Sequence, residues 1–143
     1  MYPNADIPII QLSLKNNLNA AEHIDMGRAL RPLLSENVLI VGSGFSFHNM
    51  KAFFSPSANK PDPNNEAFEK WLVETCTSKK LSEDERRGLL ESWSTAPAAR
   101  YCHPREEHLL PLHVCYGVAQ KASSQHFEVT ILNKKASIYL WEA

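Results

Sequence analysis

Residues 37–49 read NVLIVGSGFSFHN. Val38-Leu39-Ile40-Val41 is a continuous apolar run, β-branched at three of four positions, and Gly42 closes it. A run apolar on both faces suits a strand buried on both sides in a parallel sheet. Upstream, Ile7 to Leu14 (IPIIQLSL) is equally aliphatic and alternates at its end, which predicts a second strand with Asn16-Asn17 as its turn. Between them AAEHIDMGRALRPLL changes to a helical period, with Asn19 as N-cap and Pro32 near the end, where it kinks or closes the helix. Strand, helix, strand is one βαβ unit, and such units belong to the α/β class.

Downstream, Ser55 to Asn65 (SPSANKPDPNN) reads as a long loop. Glu66 to Thr77 places Phe68, Trp71, Leu72 and Thr75 at helical spacing. Ser82 with Glu85 three residues on has the form of a capping box, which predicts a helix over 83–93. Thr95 to Tyr101 reads as a short turn or a single helical turn. His103-Pro104, followed by Glu106-Glu107, reads as a helix start; the helix then runs to about Gly117 and bends at Pro111. Gln125–Leu132 and Ala136–Trp141 are strand-like, joined through Asn133-Lys134-Lys135. The expectation is a single α/β domain over residues 1–143: a partial mixed sheet with flanking helices and a C-terminal β-hairpin.

Composition narrows the function. The 143 residues are 43% hydrophobic and 22% charged, with 15 basic against 16 acidic side chains and a net charge of -1. Disorder is disfavoured at that apolar content, and nucleic-acid binding by a broad basic surface is not indicated at that balance. No run approaches the length of a membrane span. The N-terminus lacks a signal-like basic and apolar region. Cys76, Cys102 and Cys115 form no CxxC pair, so reduced thiols and a cytoplasmic setting are expected.

Six histidines are the candidate chemistry. His48 lies on the loop that leaves the second strand, and open α/β sheets bind ligands beyond the carboxyl ends of their strands. Gly42 and Gly44 would allow close approach of a ligand or a positive φ. GSGFSF is neither a dinucleotide fingerprint nor a phosphate loop. His103 and His108 form H-P-R-E-E-H, whose spacing differs from HExxH. His108 tops the stripe His108, Leu112, Cys115, Ala119, where it is either a satisfied core residue or a ligand facing a pocket. His23, His113 and His126 read as structural or surface residues, and Arg86-Arg87 as a solvated charge cluster. Ser43 does not occupy a G-x-S-x-G elbow, so a hydrolase is not favoured.

Taken together, P8-IIQLSL, AEHIDMGRAL, VLIVGSGFSFHN, the F-x-x-W-L around Phe68, W-x-x-A-P-A-A-R ending at Arg100, HPREEHLLPL and ASIYLW resemble the class III extradiol ring-cleavage dioxygenases, in the branch similar to DOPA 4,5-dioxygenase. The resemblance implies O2-dependent cleavage of a catechol at one non-haem metal per complete site, Fe(II) or Zn(II). It implies that His48, in GSG-x-x-x-HN, is an acid/base catalyst or metal ligand, that His108 is a metal ligand, and that His103 and Ser43 lie toward substrate. It covers only the C-terminal half of the family pattern, whose N-terminal half supplies further metal-ligand histidines. A mononuclear catalytic site normally takes about three protein ligands, and His48 and His108 make two. The expectations are therefore an extradiol dioxygenase-like domain, incomplete alone, that oligomerises or joins the missing N-terminal half. The alternative is a non-catalytic remnant that keeps the fold without metal. A homodimer completing the site with the partner's His103 or His113 is a third arrangement. The partners implied are a small aromatic diol and O2, with no nucleic acid and no membrane.

Overall fold

Asn19 starts the first helix as its position predicts: its side chain accepts from the Glu22 amide at 3.0 Å, opening α1 (Ala20–Leu30). The computed structural model describes residues 3–4, 6–55 and 60–142. Pro32 occupies the first turn of a 3-10 segment, Arg31–Glu36, that continues from α1 and ends at Asn37 in the left-handed region (φ 57°). After the GSG segment, Asn49 caps the short α2 (Met50–Phe53). The next helix, α3 (Pro63–Thr77), begins earlier than expected because the Asp62 side chain accepts from the amides of Asn64 and Asn65 and Pro63 opens the helix. Residues 56–59, in the middle of the expected loop, lie outside the described residues. The capping box at Ser82 and Glu85 forms reciprocally and starts α4 (Glu83–Glu91). A 3-10 turn (Trp93–Thr95) and α5 (Ala99–Cys102) follow.

The last helix corrects the sequence reading. His103 ends α5 instead of opening a helix, and α6 runs Leu110–Ala119 with Pro111 in its first turn. Proline is tolerated there because the first-turn amides have no intrahelical acceptor, so Pro111 starts this helix and does not bend it. The chain closes as an antiparallel hairpin, β1 (Gln125–Ile131) with β2 (Lys134–Leu140), in register from Gln125↔Leu140 to Ile131↔Lys134. Leu132 and Asn133 both have positive φ, the geometry of a tight two-residue turn, so β2 begins two residues before the expected Ala136.

The α/β class and the C-terminal hairpin are as expected; the βαβ ladder is not formed. Ile7–Leu14 and Asn37–Val41 carry no ladder, and the hairpin is the only sheet among the described residues. Ile10 is 93% exposed and Leu39 65%. Both runs are apolar in the way that buried strands require, but strands that would flank them are not among the described residues. The outer edge of β2 is closed by side chains. The Asn65 amide donates to the Lys135 carbonyl at 2.9 Å and accepts from the Lys135 amide at 2.8 Å. The Ser46 hydroxyl accepts from the Ser137 amide at 2.9 Å.

The core lies between α1, α3, α4 and α6, with Ile24, Phe47, Phe68, Leu72, Leu90 and Leu110 fully buried. Arg86 is also fully buried, correcting its reading as a solvated charge. Its guanidinium donates to the carbonyls of Thr75 and Ser78 at the end of α3, and its Nε pairs with Glu83 at 3.1 Å. Arg87 is the member of the pair that makes the outer ion pairs, to Asp25 and Glu91.

α1 and α6 touch backbone to backbone. A Cβ on Gly27 would lie 2.0 Å from the Val114 carbonyl oxygen, and one on Gly117 would lie 2.1 Å from that of Ile24. Gly88, exposed on α4, would meet nothing within 4 Å. The same substitution is therefore expected to act with opposite signs. Gly27→Ala should destabilise by about 1–3 kcal/mol or more through overpacking, whereas Gly88→Ala should stabilise by about 0.5–1 kcal/mol through helix propensity. Chemical denaturation of both variants measures this.

Candidate active site

The GSG segment is pressed onto the start of α6. A Cβ on Gly44 would lie 2.3 Å from the His108 carbonyl oxygen, and one on Gly42 would lie 2.6 Å from the Cys115 sulfur. No glycine has a positive φ. These glycines thus serve close approach of two pieces of backbone, where sequence alone suggested a ligand or a left-handed turn. Two hydrogen bonds fix the contact: Phe45 N–H to the His108 carbonyl at 3.0 Å, and His48 N–H to the Cys102 carbonyl at 2.9 Å. The segment carrying His48 is thereby tied to both ends of the HPREEH stretch.

That tie brings together two residues 60 apart in sequence. The imidazoles of His48 and His108 stack with centroids 3.5 Å apart and planes 18° from parallel. Both residues are half-buried. Burial, and next the neighbouring His108, hold the His48 imidazole below its ordinary pKa, against an opposing pull from Glu107. His48 is therefore a neutral base or lone-pair donor near pH 7. His108 lies just before α6, not one turn inside it.

His103 sits behind this pair with no exposed surface. Its Nε2 bonds the Ser46 carbonyl at 2.8 Å, and its ring meets Phe68 and Trp93 edge to face. A carbonyl only accepts, so Nε2 carries the proton and Nδ1 the lone pair. That Nδ1 is buried without a hydrogen-bond partner among the described residues. Burial pushes the imidazole down to about 4, with the Ser46 bond opposing it. Ser43 is exposed on the GSG segment.

The other histidines are elsewhere. His23 and His113 are fully buried; His23 bonds the Asn19 carbonyl and the Lys15 amide, and His113 bonds the Leu90 carbonyl at 2.9 Å. Neither His103 nor His113 has surface to offer across an interface, which removes the homodimer that would share them. His126 lies on β1 against Ser137. Cys76 and Cys102 are buried, with thiols pushed up to about 12 chiefly by burial, so neither is a nucleophile at neutral pH.

A family model, the catalytic LigB subunit of aromatic ring-opening dioxygenase, matches residues 1–140. The chain belongs to this family. It is 38% identical over 124 residues to a 4,5-DOPA dioxygenase extradiol of Beta vulgaris, covering 86% of this chain and 44% of that protein. It is 38% identical over 125 residues to dioxygenase tasH of Hapsidospora irregularis, covering 83% and 39%. The 4,5-DOPA dioxygenase extradiol of Escherichia coli is 32% identical over 112 residues, covering 78% and 40%. The crystal structure of an uncharacterized protein from Escherichia coli K12 superposes with a TM-score of 0.77 at 26% identity, covering 96% of this chain and 58% of that one. The chain thus spans less than half the length of these curated relatives. Within the LigB family it is an extradiol dioxygenase-like domain. No helix among the described residues is long and apolar enough to cross a membrane.

LigB dioxygenases are non-haem metal enzymes, and the donor set here fits a metal only in part. Two imidazoles side by side, His48 held neutral, are suitable donors. Their number is too small: among the described residues no group of three or more His, Cys, Asp or Glu side chains converges. Their posture is also wrong for a shared ion, since the in-plane lone pairs of face-to-face rings lie in two near-parallel planes and do not converge on one point. The described residues do not make a metal site by themselves.

Two outcomes follow from this geometry. Gly44→Ala should separate the GSG segment from His108 and destabilise the domain by about 1–3 kcal/mol, with loss of the His48–His108 ring contact read by imidazole NMR. For His103 the folded state favours the neutral ring. Its stabilising effect is full above the unfolded pKa near 6.5 and is lost as pH falls toward about 4. It amounts to on the order of 3 kcal/mol across that window. A His103→Asn variant should show a correspondingly shallower loss of stability between those pH values.

Proposed function

We propose that the chain is the C-terminal half of an O2-dependent site that cleaves the ring of a catechol, and that it works once joined to a complementary N-terminal half. The observation that carries the reading is the His48–His108 pair, two imidazoles held 3.5 Å apart by the glycine contact in a chain of a ring-opening dioxygenase family. In this reading His108 would be a ligand to one Fe(II) or Zn(II), His48 would stand beside it as the acid/base group, and the complement would bring the remaining ligands. Iron(II), when bound, would supply the O2 chemistry; zinc, which is redox-inert, would only hold and polarise the diol.

The chain's own contributions are positional and protonic. His48, kept uncharged by burial, takes a proton from a catechol hydroxyl. Ser43, exposed on the same segment, faces the substrate side. His103 acts from behind, holding the Ser46 carbonyl two residues before His48. The unladdered runs around Ile10 and Leu39 are where the complement's strands add, since they expose apolar side chains and unpaired backbone together.

The test is complementation. The chain is co-expressed with the half of the Beta vulgaris relative that it does not match. The purified pair is loaded with iron(II) without oxygen, given DOPA and exposed to O2. Oxygen uptake by the pair, lost in His48→Ala and His108→Ala, is the expected result. A stable pair that retains iron yet consumes no oxygen with any catechol would overturn the reading.

A further inference from the structure

Glu69 lies in the middle of α3 on the side facing the hairpin, and it is only 2% exposed. Neither of its carboxyl oxygens has a close hydrogen-bond partner among the described residues. The hydroxyls of Ser46 and Ser137 nevertheless face it and pull on its proton affinity. The Tyr139 hydroxyl, also buried and with no close hydrogen-bond partner among the described residues, feels the same carboxyl and the Ser137 hydroxyl. Three parts of the fold thus bring polar groups to one dry place: α3, β2 and the loop ahead of His48.

Ser46 is the junction. Its hydroxyl accepts from the Ser137 amide at 2.9 Å, and its carbonyl accepts from His103 at 2.8 Å. With the Ser137 amide already donating to it, the Ser46 hydroxyl still has a proton to give, and the carboxyl that faces it is Glu69. The Ser137 hydroxyl is likewise engaged on one side, 2.7 Å from His126 Nε2. A carboxylic acid answers both needs, because its carbonyl oxygen accepts while its O–H donates. A carboxylate would only accept, and it would be a charge buried without a close counter-ion.

We propose that Glu69 is a positioning residue whose buried carboxyl joins Ser46 to Ser137 and so holds His103 and the His48 loop against the hairpin. The charges and titratable groups around it fit that role. Burial dominates and holds the carboxyl above the usual range; the two serines and Lys135 oppose it, and Glu128 reinforces it. Cys76 and Cys102 feel the same carboxyl, and neither thiol is ionised at neutral pH. The balance favours the protonated acid over the carboxylate more than in an exposed glutamate. The neutral acid's stabilising contribution is complete below the unfolded carboxyl pKa and is lost as pH rises through the folded one.

The assignment rests on reading His48 and His103 as site residues. Its test uses no turnover, so the two readings fail separately. Isotope-edited infrared spectra of the full chain with labelled glutamate should show one protonated-carboxyl band that persists to higher pH than those of the other glutamates and is missing in Glu69→Gln. Glu69→Gln, neutral and able both to donate and to accept, should leave the His48 and His103 imidazole resonances in place. Glu69→Leu, neutral but unable to bond, should shift both. Where the leucine variant does not fold, Ser46→Ala removes the hydroxyl instead and should shift the same two resonances. Absence of a late-titrating band that depends on Glu69 overturns the proposal. So do unmoved imidazoles in folded Glu69→Leu, or in Ser46→Ala.

Discussion

Everything in this domain is arranged around one helix approached at backbone distance from two sides. Gly27 of α1 lies against the C-terminal half of α6, with Gly117 as its counterpart. Gly42 and Gly44 lie against the beginning of α6 and the turn before it. A side chain at Gly27, Gly117, Gly42 or Gly44 would have to move backbone, or the Cys115 sulfur, to fit. Close-packed interiors resist such shifts because they have few voids to absorb them. The first contact sets how α1 crosses the core. The second sets where His48 stands relative to His108. Fold and site are thus two results of the same steric constraint.

What was legible in the sequence was local. The Asn19 cap and the Ser82–Glu85 box depend on a few consecutive residues, and both form as read. The hairpin was legible because turn residues separate two β-rich runs, although its turn sits at Leu132-Asn133. The last helix was misplaced because the chain offers two prolines as helix starts. Pro104 with two glutamates after it looks the better one locally, yet Pro111 is used, since His103 is committed to Ser46 and the core aromatics. Tertiary contacts outweighed a local signal. Arg86 was misread for a related reason: its partners are carbonyls of α3, a helix away.

The candidate site was legible only through resemblance. Spacing alone could not pair His48 with His108 across 60 residues, nor show that the glycines between the strand-like run and His48 face a helix. A usable signal was present: two glycines flanking one residue, after a buried-type run, mark a place where something must come very close. What comes close is this chain's own backbone. The apolar runs at Ile7–Leu14 and Val38–Val41 were read correctly for composition and incorrectly for pairing. A strand is a relation between segments, and periodicity describes only one member of it.

The side chains along β2 have a consequence for crowded solution. Asn65 imitates the amide of a neighbouring strand at Lys135, and Ser46 occupies the next outward-facing amide at Ser137. Another polypeptide cannot dock there without first displacing both. An open edge invites promiscuous stacking between molecules, and the β2 edge of the hairpin is insulated from it at these two positions. A partner chain that adds backbone to backbone is thus steered away from β2 and toward segments whose amides no side chain has claimed.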